Sequence, residues 1–132
     1  MKVTIHYEFE CTDEDIDDIM CTALEGGINY WCDNAKVSGA YLGEYANEQI
    51  SRGGMIRLHD SEEDKYYELT KDKFIEGLKQ FMLEHNFRKD KFNGHFGSVF
   101  VDKNGRIDAS MIDADDADYI IQCAVFGEVV YG

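Results

Sequence analysis

The side chains in this chain with the most evident chemical potential are carboxylates. Asp13, Glu14, Asp15, Asp17 and Asp18 crowd one stretch, Glu62-Glu63-Asp64 forms a second, and Asp113, Asp115, Asp116 and Asp118 form a third. With so many acids, chance carboxylate pairs are certain, so no pair carries catalytic weight. No nucleophile elbow, Ser-His-Asp order or Cys-His signature is recognisable, and no catalytic residue is assigned. Cys11, Cys21, Cys32 and Cys123 form no CxxC or zinc-finger spacing, and His6, His59, His85 and His95 form no HExxH. The expectation is therefore free buried thiols, no metal site and no cofactor. What rows of carboxylates can do is imitate phosphates. Neighbours on a helix face lie about 5–6 Å apart, and duplex DNA carries a charge about every 1.7 Å of axis. Asp13, Glu14, Asp17, Asp18, Glu62, Glu63, Asp64, Asp115, Asp116 and Asp118 are the candidate partner-binding set.

Global charge points the same way. The 132 residues carry a net charge of −14. That disfavours direct binding to nucleic acid or an anionic membrane and favours a basic protein partner; plain solubilising surface is the competing explanation. The base-rich segment 71–91 has six bases against four acids, so its net of +2 leaves −16 on the remainder. A length of 132 residues, 44% hydrophobic content and 17 aromatic side chains fit one ordered domain spanning 1–132. Neither a signal-peptide pattern nor a bilayer-length apolar run is present, so the expectation is a soluble protein of the cytoplasm.

Two stretches should position the acids. Thr12 and Asp15 have capping-box spacing, and Ile16, Ile19, Met20, Ala23 and Leu24 recur on one helical face, with Gly26-Gly27 as the stop. Shifted by 101 residues, the pattern recurs as Asp113 and Asp116, then Ala117, Ile120, Ile121, Ala124 and Val125, then Gly127. Six positions are identical (Asp15, Asp17, Ile19, Ala23, Gly26 and Tyr30 with their counterparts), which predicts two similar helix-to-strand units. Five acids on the first helix exceed what its dipole needs, since like charges on adjacent turns repel.

Between these units, Val3, Ile5, Tyr7 and Phe9 alternate with polar residues and predict a half-buried strand. Extended structure is expected over 28–37, a short helix over 41–50 stopped by Gly53-Gly54, and strands over 55–59 and 66–69 joined by an acidic hairpin loop. Thr70 should cap a third helix that buries Phe74, Ile75, Leu78, Phe81 and Met82. Residues 87–97 read as a mobile loop, and Asn104-Gly105 as a hairpin turn between 98–101 and 106–108. Asp102 to Asp108 lacks the glycine and glutamate of a calcium loop. The whole is an α+β domain with three main helices and a mixed or mainly antiparallel sheet. A second candidate site is a nucleotide-sized pocket in which Trp31 and Tyr45 stack while Gln49 and Arg52 bind polar groups.

The run Asp13 to Cys32, with Gly43 to Gly54, Glu62 to Asp64, Tyr67 to Thr70 and Ile120 to Glu128, resembles a family of small uncharacterised proteins of phages and prophages of Gram-positive bacteria. The resemblance covers most of the chain outside roughly 87–106. It implies a phage setting and no particular activity. The expected function is a non-enzymatic accessory protein, an acidic decoy that inhibits a host nucleic-acid-handling defence factor such as a CRISPR nuclease. A nucleotide-signal sponge and a phage assembly module are the alternatives, and a homo-oligomer is compatible with all three.

Overall fold

A computed structural model describes residues 1–89 and 96–132 of the chain. The fold is α+β. Three helices, α1 (Asp13–Thr22), α2 (Lys71–His85) and α3 (Ala114–Phe126), pack with a three-stranded antiparallel sheet of order β1 (Cys32–Ser38), β2 (Met55–Asp60), β3 (Lys65–Leu69). A two-stranded ribbon of β4 (Phe87–Lys89) and β5 (Phe96–Ser98) stands apart from that sheet.

The helix starts follow local chemistry. Thr12 accepts from Asp15 N at 3.1 Å while the Asp15 carboxylate accepts from Thr12 N at 2.8 Å. Asp113 and Asp116 make the same reciprocal pair at 2.9 and 3.2 Å, and Thr70 caps α2 through Lys73 N. Their apolar stripes meet in one core containing Ile16, Ile19, Met20, Phe74, Leu78, Phe81, Ala117, Ile120 and Ile121, with Trp31 fully buried beside them. Helices α2 and α3 approach so closely that a Cβ on Gly77 would lie 2.3 Å from the Ile120 carbonyl oxygen.

The ends of the two look-alike helices differ. Helix α3 stops at Gly127 in the left-handed conformation, φ +81°. Helix α1 instead widens into a π-turn, Ala23–Gly27, closed by Ile28 N to Ala23 O at 3.1 Å. Gly27 is needed for another reason: a Cβ there would sit 2.7 Å from Ala114 O, so its absence lets the end of α1 abut the start of α3. The strand expected after α3 does not form either. Its residues are held by side chains rather than by a sheet edge, as described below.

Other expectations are corrected. Residues 2–9 are not a half-buried strand: among the described residues no sheet edge reaches them, and residues 1–8 are exposed. The helix expected over 41–50 shrinks to one 3₁₀ turn, Ala46–Glu48, because Glu48 and Gln49 turn their side chains back onto the loop backbone. The loop expected over 87–97 is paired at both ends as β4 and β5, and its middle lies outside the described residues. Past β5, Asn86 Oδ1 accepts from Ser98 Oγ at 2.9 Å and from Phe100 N at 3.0 Å, tying this segment to the end of α2. The Asn104-Gly105 turn forms, with Gly105 at φ +78°, but the hairpin around it is a single bridge, Val101 to Ile107.

Candidate functional site

The acidic clusters divide into carboxylates with internal duties and carboxylates left outside. In α1, Asp15 is buried, caps the helix and receives Arg106 Nη2 at 3.3 Å. Burial alone would raise its pKa, but the hydrogen bonds from Thr12 and Arg106 outweigh that and hold the carboxyl below the usual value. Asp17 accepts from Ser51 Oγ at 2.6 Å, and its carbonyl from Asn47 Nδ2 at 3.3 Å, with Arg52 3.9 Å away. Asp13 pairs with Lys71 at 3.2 Å. These three bind α1 to the chain around it and account for much of the apparent excess of charge. Glu14 and Asp18 are the fully outward acids of this helix.

Asp118 is a clear correction. Rather than facing a partner it is buried, accepting from Trp31 Nε1 at 2.7 Å, Tyr30 OH at 2.5 Å and Gln122 Nε2 at 3.0 Å. Gln122 in turn clamps the end of the chain: its Oε1 accepts from Val130 N and Tyr131 N at 2.8 Å, and its Nε2 donates to Tyr131 O at 3.1 Å. Tyr131 OH reaches the buried Asp60 at 2.8 Å. Burial first, and the Asp118 carboxylate second, push the Tyr30 phenol up to about 12; burial and Asp60 do the same for Tyr131. Asp118 is the counterpart of Asp17 under the internal shift, and both have become fastenings.

The nucleotide-sized pocket does not assemble. Trp31 is spent on Asp118, with its ring against Phe126 and Tyr131. Gln49 is buried and closes its own loop through Leu42 N at 3.0 Å and Ala40 O at 3.2 Å. Arg52 lies along Glu48, and the Tyr45 ring is exposed. Spacing along the chain suggested a cluster, but the backbone between 38 and 54 folds onto itself instead.

What remains is a face that sequence reading only partly found. Ile107 N donates to Glu10 O and Glu10 N to Gly105 O, both at 2.8 Å, which seats residue 106 beside the start of α1. Eight residues later, Ala114 O touches Gly27 at the other end of α1. The segment 106–114 is thus a strap running along α1, whose ten residues span about 15 Å at 1.5 Å of rise per residue. Its acids lie next to those of the helix. Asp15, Asp18, Asp102 and Asp108 line one depression of about 350 Å³ around Arg106. Glu14 is close enough to Arg106 for its charge to be felt there, and Asp115 is close enough to Tyr30 for the same. Asp116 is half-buried and belongs chiefly to the cap. Asp102 and Asp108 could have been found: each is an Asx-type residue whose carboxylate holds backbone N–H groups two residues on, at 2.8 and 3.1 Å.

The hairpin acids flank the far end. Tyr30, close enough to Asp115 to feel its charge, donates to Tyr131 O at 3.2 Å, and Tyr131 feels Glu63 and Glu62. Asp64 instead faces His59, at 2.8 Å from Nε2, while Asp33 lies 2.6 Å from Nδ1. These two hydrogen bonds, Asp33 first, raise the imidazole pKa. Among the described residues no group of three or more His, Cys, Asp or Glu side chains is arranged to hold a metal ion, and no helix is long and apolar enough to cross a membrane. No protein-family model, curated protein or solved structure matches the chain.

Proposed function

We propose that the protein is a non-enzymatic acidic decoy that occupies the basic groove of a host nucleic-acid-handling defence factor, in a phage setting. The observation that carries this reading is the strap along α1. Glu14, Asp18, Asp102, Asp108, Asp113 and Asp115 are six exposed carboxylates on α1, on the strap and at the start of α3, and Asp18, Asp102 and Asp108 gather around Arg106. Arg106, half-exposed, is paired with Asp15 at 3.3 Å, and Lys103 lies exposed in the turn between Asp102 and Arg106. A groove lined by Lys and Arg would find there a concentration of negative charge in place of the phosphates it normally grips.

The test is capture from host lysate at low and high salt, with bound protein eluted by duplex DNA. The reading expects a basic nucleic-acid-binding protein held at low salt, released by salt and displaced by DNA. A variant with Glu14, Asp18 and Asp115 changed to Lys, and Asp102 and Asp108 changed to Asn so that each keeps the oxygen that accepts from the backbone, should fold normally and capture nothing. Undiminished capture by that variant would refute the decoy. Asp17 and Asp118 are left unchanged in it, because reversing either would test the fold instead.

A further inference from the structure

Residues 2–9 carry a strand pattern without a strand. Val3, Ile5, Tyr7 and Phe9 share one side of an extended chain, and Lys2, Thr4, His6 and Glu8 the other. Phe9 packs on the core, and the Tyr7 ring meets Phe87 at 4.9 Å. Beyond that the apolar side is bare: Val3 is 77% and Ile5 87% exposed. No backbone hydrogen bond joins residues 1–9 to the described chain; the first is at Glu10. Beneath the arm is an open groove of about 1280 Å³, lined by Ile5, Tyr7 and Phe9 and by Ile75, Leu83 and Phe87.

We propose that a second copy of this chain supplies the missing strand, the two arms pairing antiparallel about a two-fold axis through Ile5. This register is self-complementary. Lys2 lies opposite Glu8 of the other arm, Val3 opposite Tyr7, Thr4 opposite His6, and Ile5 opposite itself. Both ion pairs fall on one side of the ribbon and the apolar residues of both arms on the other, and residues 5–9 of the arm, His6 and Glu8 included, border the groove. A two-stranded ribbon alone is marginal in water. Here the groove beneath each arm gives its apolar side somewhere to be buried. In this register the two Phe9 residues are about 27 Å apart, eight residues at 3.4 Å each, so two bodies fit at opposite ends of the ribbon. The interface adjoins the start of the α1 strap at Glu10 and Gly105 but does not rest on the decoy reading.

Sedimentation over a range of concentrations, combined with cysteine substitution, tests it. The wild-type chain should sediment at twice its 15.1 kDa at the upper concentrations. Under mild oxidation Ile5→Cys should cross-link to itself, because directly opposed Cα atoms lie about 4.5–5.5 Å apart, within disulfide range. Thr4→Cys and His6→Cys should each cross-link poorly alone and well when mixed. Lys2→Glu should weaken the dimer about ten-fold by placing like charges opposite each other twice, and the exchange Lys2→Glu with Glu8→Lys should restore it. All these positions are exposed, so a circular dichroism spectrum should stay unchanged. A chain that remains monomeric throughout, or equal cross-linking at 4, 5 and 6 alone, would overturn the proposal.

Discussion

Asp118 and Asp18 are both aspartates on acidic helices, yet they have opposite uses. Asp118 accepts three hydrogen bonds inside the fold, two of them from Trp31 and Tyr30. Asp118→Ala strands those donors, and unmet buried partners of a charged group cost about 1–3 kcal/mol each. The expectation is a loss of roughly 2–4 kcal/mol in urea unfolding, with the Trp31 fluorescence changed. Asp18→Ala should change neither. His59 makes a pH prediction. Its folded pKa is raised above 6.5 by Asp33 and Asp64. The stabilisation from its protonated form is therefore full below about 6.5 and is lost as pH rises through the higher folded value. An NMR titration of His59 should give a midpoint above that of a free imidazole, and Asp33→Asn should lower it. A His59 midpoint indifferent to Asp33→Asn would contradict the assignment. Asp15 runs the other way: its contribution is present above the ordinary carboxyl pKa and fades only as pH falls through its lowered folded value.

At the scale of elements, the glycines in the helix contacts decide how closely the helices approach. Ala at position 77 would gain about 1 kcal/mol of helix propensity, but its Cβ would meet a backbone carbonyl at 2.3 Å. Backbone displacement in a packed core costs about 1–3 kcal/mol, so Gly77→Ala should lower the melting temperature; a raised one would contradict this packing. The helices themselves were legible because caps and apolar spacing are local: Thr12 with Asp15 and Asp113 with Asp116 close as their spacing predicts. The β2 and β3 pairing was legible for the same reason. What was not legible depended on distant partners. Alternation over residues 2–9 promised a strand, but pairing needs an edge that local sequence does not contain. Acid spacing on α3 promised a surface, but Asp118 turns inward because Trp31 and Tyr30, 87 and 88 residues away, present donors to it. Asp102 and Asp108 read locally as turn residues, and only the tertiary fold lays them beside α1.

For the molecule as a whole, net charge is a weaker guide than the placement of that charge. Of the acids singled out by sequence, Asp13, Asp17 and Asp118 are engaged with the chain's own groups, whereas Glu14, Asp18 and Asp115 stay outside and are joined by Asp102, Asp108 and Asp113. The proposed function needs only this outer set. The most direct measurement is the salt dependence of binding to the basic protein captured from lysate. It compares the wild-type chain with variants in which Glu14, Asp18 and Asp115 are changed to Ala and Asp102 and Asp108 to Asn, one after another. If the strap along α1 stands in for phosphates, affinity should fall with added salt, and the slope of log affinity against log salt should shrink with each carboxylate removed. A slope that is flat, or that stays the same when all five are gone, would contradict the account.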